Sequence, residues 1–170
     1  MKKHFLHIGL LFIFAVSYSQ NEISVVQKDK SEFKINFADD FETLKIQNSK
    51  TKQVQLIHNL EASITEKPSH LEINDYNFDG FSDFAVFHTD DGMGVYTIYQ
   101  IFVYDSKAKQ FESLKFPSNF NPKCDMFCDI KVDKTKKILT SSCRGGAKNH
   151  TDFWIYDKNK KLTLLKSKSE

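Results

Sequence analysis

Glycine, proline and cysteine are scarce in this chain of 170 residues, which has six glycines, three prolines and three cysteines. So little glycine and proline beside sixteen phenylalanines and six tyrosines argues against a disordered segment and favours a compact β-rich protein. Helical periodicity is almost absent, because short apolar runs alternate with polar turns from Glu22 onward. The length suits one domain with its own core.

Familiar catalytic motifs are missing as well. The chain has no Gly-x-Ser-x-Gly elbow, no His-Glu-x-x-His pair and no glycine-rich phosphate loop followed by a helix. Four histidines follow the first twenty residues, and none forms a metal-ligand pair at helical spacing: they are His58, His70, His88 and His150. We therefore expect a protein that is not an enzyme.

The N-terminus has the pattern of a bacterial secretory signal peptide. A short basic region, Met1 to His4, precedes an apolar stretch from Phe5 to Val16, and Ser17-Tyr18-Ser19 has the small-x-small pattern of a cleavage site. We expect residues 1–19 to be removed, leaving residues 20–170 as a single β-rich domain that is periplasmic or secreted and has no membrane span. The alternative is that the apolar stretch is retained as an anchor.

Charge gives no reason to expect a nucleic-acid partner. Loss of Lys2 and Lys3 reduces the 24 basic residues to 22, which equals the 22 acidic residues. A mature chain near zero net charge lacks the basic excess that attracts phosphate backbones.

Twelve strand-like runs separated by polar turns fall into three groups of four. The runs are Glu22–Gln27, Glu32–Ala38, Thr43–Gln47 and Gln53–Leu60; Leu71–Ile73, Asp83–Phe87, Val95–Tyr104 and Phe111–Phe116; and Asp129–Val132, Lys137–Ser142, Thr151–Tyr156 and Lys161–Leu165. Alternate residues of the run Val95–Tyr104 are apolar on both faces, which predicts a central strand buried between two layers.

An internal repeat supports this grouping. Ile46–Val54 aligns without gaps on Val103–Phe111, and Ile155–Thr163 fits more loosely. In each copy a strand ends at an Asx residue, a lysine-rich turn follows, and another strand begins. The predicted fold is all-β, with successive four-stranded antiparallel meanders arranged as a small or incomplete propeller. A β-sandwich is the alternative.

The stretch from Asp75 to Asp83 has the pattern of a calcium-binding loop, Asp-x-Asn-x-Asp-Gly-x-x-Asp. Oxygen-bearing side chains at alternate positions turn toward one point in a coiled loop, and Gly80 permits a sharp turn. The expected ligands are the side chains of Asp75, Asn77, Asp79 and Asp83, and Phe81 through its backbone carbonyl.

This loop differs from the helical type of calcium loop, because its twelfth position is Val86 rather than a bidentate glutamate. Strand-like runs flank it, so we place it between two strands, with Asp83 completing the set of ligands. The alternative is an Asx-rich turn that holds no metal.

Export permits a disulfide, and three cysteines allow at most one within the chain. Cys128 and Cys143 flank a predicted hairpin, and counting back from its turn places them nearly opposite. We expect this pairing, with the other pairings of Cys124, Cys128 and Cys143 left open.

The order of features resembles a known family. A calcium loop between strands is similar to the loops of FG-GAP and integrin-type propeller repeats. The later order of an aromatic strand ending at Tyr104-Asp105, then Asn121-Pro122, Arg144-Gly145-Gly146-Ala147 and Lys160-Lys161-Leu162 resembles a family of small exported bacterial proteins with a propeller-like fold. That family includes an immunity protein against a lysozyme-like effector of a type IV secretion system.

The resemblance covers about residues 71–165 and implies a non-enzymatic, calcium-stabilised inhibitor or binding module with a protein partner such as a peptidoglycan hydrolase. A lysozyme-like glycosidase works with two carboxyl groups in a cleft, and an arginine on a loop suits them. The expected partner-binding residues are Ser142, Arg144, Lys148 and His150. Two alternatives stay open: Arg144 pairs with an aspartate inside the protein, or the protein is a structural or carbohydrate-binding surface module.

Overall fold

The computed structural model describes residues 22–38, 42–92 and 96–170, so the expected signal peptide, residues 1–19, lies outside the described residues. The described chain forms twelve strands: β1 Glu22–Val26, β2 Glu32–Phe37, β3 Leu44–Asn48, β4 Val54–Ile57, β5 His70–Asn74, β6 Asp83–Thr89, β7 Thr97–Asp105, β8 Gln110–Ser113, β9 Lys131–Asp133, β10 Ile138–Gly145, β11 Lys148–Tyr156 and β12 Leu162–Ser169. In this part of the chain the single helical element is a 3₁₀ turn at Ser118–Phe120, and no helix is long and apolar enough to cross a membrane.

The strands form three four-stranded antiparallel sheets, β1 to β4, β5 to β8 and β9 to β12, and in each sheet consecutive strands are neighbours. The predicted succession of four-stranded meanders is therefore confirmed, and all twelve predicted runs correspond to strands with shifted ends. The described residues form three sheets rather than the two of a β-sandwich. The propeller-like arrangement of the sheets stays a prediction.

The aligned repeats are equivalent hairpins, because each forms the turn between the third and fourth strands of its sheet. Asn48 shows how the turn is held: its side-chain oxygen accepts hydrogen bonds from the N–H groups of Lys50 and Thr51, at 3.0 and 2.9 Å. Asp105 and Asp157 serve their turns in the same way. Each turn ends on a lysine with positive φ, namely Lys52, Lys109 and Lys160. An Asx side chain supplies the local acceptor that such a turn needs.

The middle sheet is buried on both faces. On β7, Phe102 and Tyr104 belong to a core cluster shared with the first sheet, whereas Ile101 belongs to a second cluster shared with the third sheet. The first cluster includes Ile35, Leu44, Ile46 and Phe84, and the second includes Tyr76, Leu139, Trp154 and Leu162. The prediction that β7 is a central strand between two layers is confirmed.

The structure pairs Cys124 with Cys143, at a Cα–Cα distance of 5.7 Å, and leaves Cys128 as a buried free thiol. The expected Cys128–Cys143 bridge is therefore wrong. The register of β9 and β10 would place these two cysteines opposite each other if it continued past Lys131. The register does not continue, because Asp129 has φ 41° and the Ser142 N–H donates to the Cys128 carbonyl at 2.7 Å. The pairing of the two segments is therefore shifted by one residue.

Peptide mapping without reduction tests the observed pairing. We expect one cross-linked species containing Cys124 and Cys143, and alkylation of Cys128 only after unfolding, because its side chain is 1% exposed and burial raises its thiol pKa to about 12. Cys143→Ser should lower the free energy of unfolding by about 3 kcal/mol through loss of a closed loop. Cys128→Ala should keep the cross-link. A cross-linked peptide containing Cys128 would contradict this account.

Candidate functional site

The loop between β5 and β6 coils around its own side-chain oxygens. The two carboxylate oxygens of Asp75 accept hydrogen bonds from the N–H groups of Asp79 and Gly80, at 3.1 and 2.9 Å. The Asn77 side-chain oxygen accepts from the same Asp79 N–H at 3.0 Å. Positive φ values at Phe78 (59°) and Gly80 (81°) allow this tight path. Asp75, Asn77 and Asp79 thus lie together in this turn of the loop, and their role as calcium ligands stays a prediction.

Asp83 has a different role from the other predicted ligands. Its side chain is 1% exposed at the start of β6. One carboxylate oxygen accepts from the N–H groups of Tyr76 and Asn77, at 2.8 and 3.2 Å, and the other accepts from the Tyr104 N–H at 2.8 Å. Asp83 therefore binds the beginning of the loop to the end of β7, at Tyr104. The sequence pattern predicted Asp83 as a metal ligand but did not indicate these backbone hydrogen bonds.

Burial sets the ionisation of Asp83. It raises the pKa of this carboxyl to about 7, against the opposing effect of the hydrogen bonds from the Tyr104 and Tyr76 amides, and the nearby negative charge of Asp79 adds to the rise. The Tyr76 hydroxyl, which lies in the same buried region, also has a raised pKa because of desolvation. The loop therefore places a titratable group inside the protein.

The chemistry of the loop fits a hard divalent cation. Oxygens of Asp75 and Asn77 lie close together at the Asp79 N–H, the Asp79 carboxylate lies beside the Asn77 amide, and each oxygen that accepts one hydrogen bond retains a further lone pair. In the described part of the chain, no three His, Cys, Asp or Glu side chains form a group that could hold a metal ion. The predicted calcium set contains three carboxylates, those of Asp75, Asp79 and Asp83, together with an amide oxygen and a backbone carbonyl, and calcium binding stays a prediction.

The first sheet holds the outside of the loop through two adjacent residues. The side-chain amide of Gln27 donates to the Ser82 carbonyl at 2.7 Å and accepts from the Ser82 N–H at 2.8 Å. The Lys28 ammonium donates to the Asp79 carbonyl at 2.6 Å and lies 3.9 Å from the centre of the Phe81 ring. No pattern in the sequence indicated Gln27 or Lys28.

The third sheet contacts the loop as well. The rings of Phe78 and Tyr156 pack edge to face with centroids 6.2 Å apart. The Tyr156 hydroxyl is buried and has no hydrogen-bond partner in the described part of the chain. Its pKa is raised, first by desolvation and then by the negative charges of the loop aspartates. The nine-residue loop is consequently in contact with all three sheets.

The predicted partner-binding residues lie on the hairpin between β10 and β11. Arg144 is opposite Asn149, and the turn passes through Gly146 at φ 62°. Arg144 is exposed, and within residues 22–38, 42–92 and 96–170 it forms no ion pair. The alternative in which Arg144 pairs with an internal aspartate is thus not found in the described residues.

A cavity of about 300 Å³ lies beside this hairpin. Its lining includes Ser142, Arg144 and His150, and also Tyr96 and Asp129. The structure therefore brings three of the four predicted residues to one cavity, whereas Lys148 lies at the hairpin end and is not part of the lining. A ring nitrogen of His150 is 2.8 Å from the Ser169 hydroxyl, which fixes the imidazole against β12.

The connection after β6 is anchored through the side chain of Asp91. The Asp91 carboxylate accepts hydrogen bonds from the hydroxyls of Ser63 and Thr65, at 2.5 and 2.7 Å, and from the Ile64 N–H at 2.9 Å. These bonds hold its pKa well below the usual range. Asp91 was missed because its partners are some 26 to 28 residues away in the chain.

No family model, curated protein sequence or solved structure matches the chain. The function is therefore argued from the loop and the hairpin themselves.

The raised pKa of Asp83 predicts how stability depends on pH. Between about pH 4 and pH 7 the native state binds more protons at this group than the unfolded chain does, because the folded pKa lies above the ordinary value of 3.8. The contribution of Asp83 to the free energy of unfolding is complete below pH 3.8 and is lost as the pH rises through about 7. With a chelator present, the difference in unfolding free energy between the wild type and Asp83→Asn should fall by about 1 to 4 kcal/mol as the pH rises from about 4 to about 7. Urea titrations at several pH values measure it, and a difference that rises with pH would contradict the shift.

Proposed function

We propose that the protein is an exported, calcium-binding β-protein that binds another protein through the hairpin between β10 and β11. The observation that carries this proposal is an exposed Arg144 at the hairpin end, with no ion pair in the described residues, beside a cavity of about 300 Å³. An arginine without an internal partner keeps its full set of donors for a partner's carboxylate.

The partner that this site suits best presents a carboxylate on a concave surface. The guanidinium bonds a carboxylate through two parallel hydrogen bonds, and Arg144 is exposed near the end of the hairpin. Lysozyme-like hydrolases hold two carboxyl groups in a cleft. Inhibition of a peptidoglycan hydrolase in the periplasm or outside the cell is thus the specific form of the proposal, and the family resemblance supports it.

Carbohydrate binding is the second candidate. Tyr96 and Tyr99 line two adjoining cavities that share Asp129 and Ser142. Tyrosine rings beside hydroxyl and carboxylate groups suit a sugar. Retention on immobilised glycan, lost in Tyr96→Ala and kept in Arg144→Ala, would favour this function over protein binding.

Calcium has a stabilising role in the proposal. Asp75, Asn77 and Asp79 would supply side-chain oxygens, Phe81 a carbonyl, and Asp83 would complete the set of ligands. Calcium supplies positive charge that relieves the repulsion among these carboxylates. The ion would therefore strengthen a loop that already contacts all three sheets.

Thermal unfolding tests the metal. Millimolar calcium at a micromolar site should stabilise the native state by about 4 kcal/mol, so the thermal midpoint should rise and return on chelation. Asp79→Ala should abolish the rise. Asp105→Ala is the matched control, since Asp105 serves a turn outside the loop, and it should keep the rise. An unchanged midpoint in the wild type would remove calcium from the proposal.

Affinity capture from periplasmic extract, followed by lysis assays with the recovered hydrolase, tests the partner site. Arg144→Ala should weaken binding by about 2 kcal/mol, or roughly 30-fold, and Arg144→Lys should recover only part of it because the ammonium lacks the fork. Lys134→Ala is the control, because this exposed lysine lies in the turn between β9 and β10, away from the hairpin. Equal inhibition by the wild type and Arg144→Ala, or no effect on any hydrolase, would sink the inhibitor proposal.

A further inference from the structure

We infer that a second cleft, between the Asp75–Asp83 loop and the third sheet, binds a small organic anion with an apolar body. The cleft has a volume of about 480 Å³, which is within the range of ligand sites. The cleft is lined by residues of the loop, of β7 and the segment after β8, and of β11 and two turns in the third sheet: Asn77, Phe78, Asp79, Val103, Leu114, Lys137, Tyr156 and Lys160.

The walls of the cleft are suited to an apolar or aromatic group. Val103 and Leu114 form one side and pack against the second core cluster. Phe78 and Tyr156 add two rings that are already fixed edge to face. Because these side chains are held by the core, the cleft exists before a ligand enters and little ordering is required on binding.

The polar groups of the cleft are mainly donors that need an acceptor. The Tyr156 hydroxyl is buried without a partner in the described residues. Lys137 and Lys160 each end a tight turn, at φ 54° and 59°, and neither forms an ion pair in the part of the chain that the structure describes. Two lysines without an ion pair therefore line the cleft, next to a buried hydroxyl without a partner.

The acceptors that also line the cleft accept hydrogen bonds within the loop, and their remaining lone pairs are the ones assigned to calcium in the proposed function. The Asp79 carboxylate accepts from the Phe81 N–H at 2.8 Å and from the Asn77 side-chain amide at 3.2 Å. The Asn77 oxygen accepts from the Asp79 N–H. A ligand must therefore bring its own acceptors, and a carboxylate satisfies ammonium and hydroxyl donors together.

The partnerless hydroxyl makes this inference specific. A buried hydroxyl without a partner destabilises the native state, so phenylalanine would serve better at position 156 if only packing mattered. A ligand oxygen that accepts from this hydroxyl accounts for the tyrosine. The same change therefore has opposite expected effects on stability and on binding.

Phenylacetate is a suitable probe, and titration followed by amide NMR shifts is the measurement. We expect saturable shifts at Val103, Leu114 and Tyr156 with millimolar affinity, and at least tenfold weaker binding of the neutral phenylacetamide. The double variant Lys137→Gln/Lys160→Gln should also bind phenylacetate about tenfold more weakly. Lys107→Gln/Lys158→Gln, at turns outside the cleft, is the matched control and should bind normally.

Tyr156→Phe separates binding from folding. It should keep or raise the thermal midpoint of the free protein and still bind phenylacetate several-fold more weakly. Absence of shifts at the cleft, equal binding of the amide, or undiminished binding by the lysine double variant would each overturn the inference. Arg144→Ala should leave phenylacetate binding unchanged, so this result is independent of the proposed protein partner.

Discussion

The buried carboxylate of Asp83 is the interaction on which the rest of the structure depends. It accepts three backbone hydrogen bonds, from Tyr76, Asn77 and Tyr104, and so joins the start of the loop to the central strand of the middle sheet. If Asp83 did not hold the loop there, the contacts that the loop makes with the other two sheets would have no fixed position. A single buried acceptor thereby fixes the loop on the middle sheet, which already shares one core cluster with the first sheet and another with the third.

The architecture could be predicted because it depends on local pattern. Alternating apolar residues and Asx-lysine turns specify hairpins, and short connections between them specify meanders. The cysteine pairing could not be predicted by counting, since a left-handed residue at Asp129 shifts the register. The contacts of Gln27 and Lys28 with the loop could not be predicted either, because their partners lie more than 50 residues away and a lone polar side chain has no periodicity.

The loop and the hairpin have different roles in the proposed function. The loop consists of oxygens and amides turned inward, so its chemistry favours stability. The hairpin presents Arg144 outward at its end, so its chemistry favours recognition. The disulfide between Cys124 and Cys143 lies next to that arginine and joins the hairpin to the preceding connection. A rigid support of this kind reduces the ordering that binding requires.

Native-state hydrogen exchange in Asp83→Asn tests most directly whether the loop unites the three sheets. If Asp83 organises the whole domain, the substitution should lower the protection of core amides in the first, middle and third sheets by the same free energy, because they unfold as one unit. Loss of protection confined to the loop and the middle sheet, with the first and third sheets unchanged, would contradict the account.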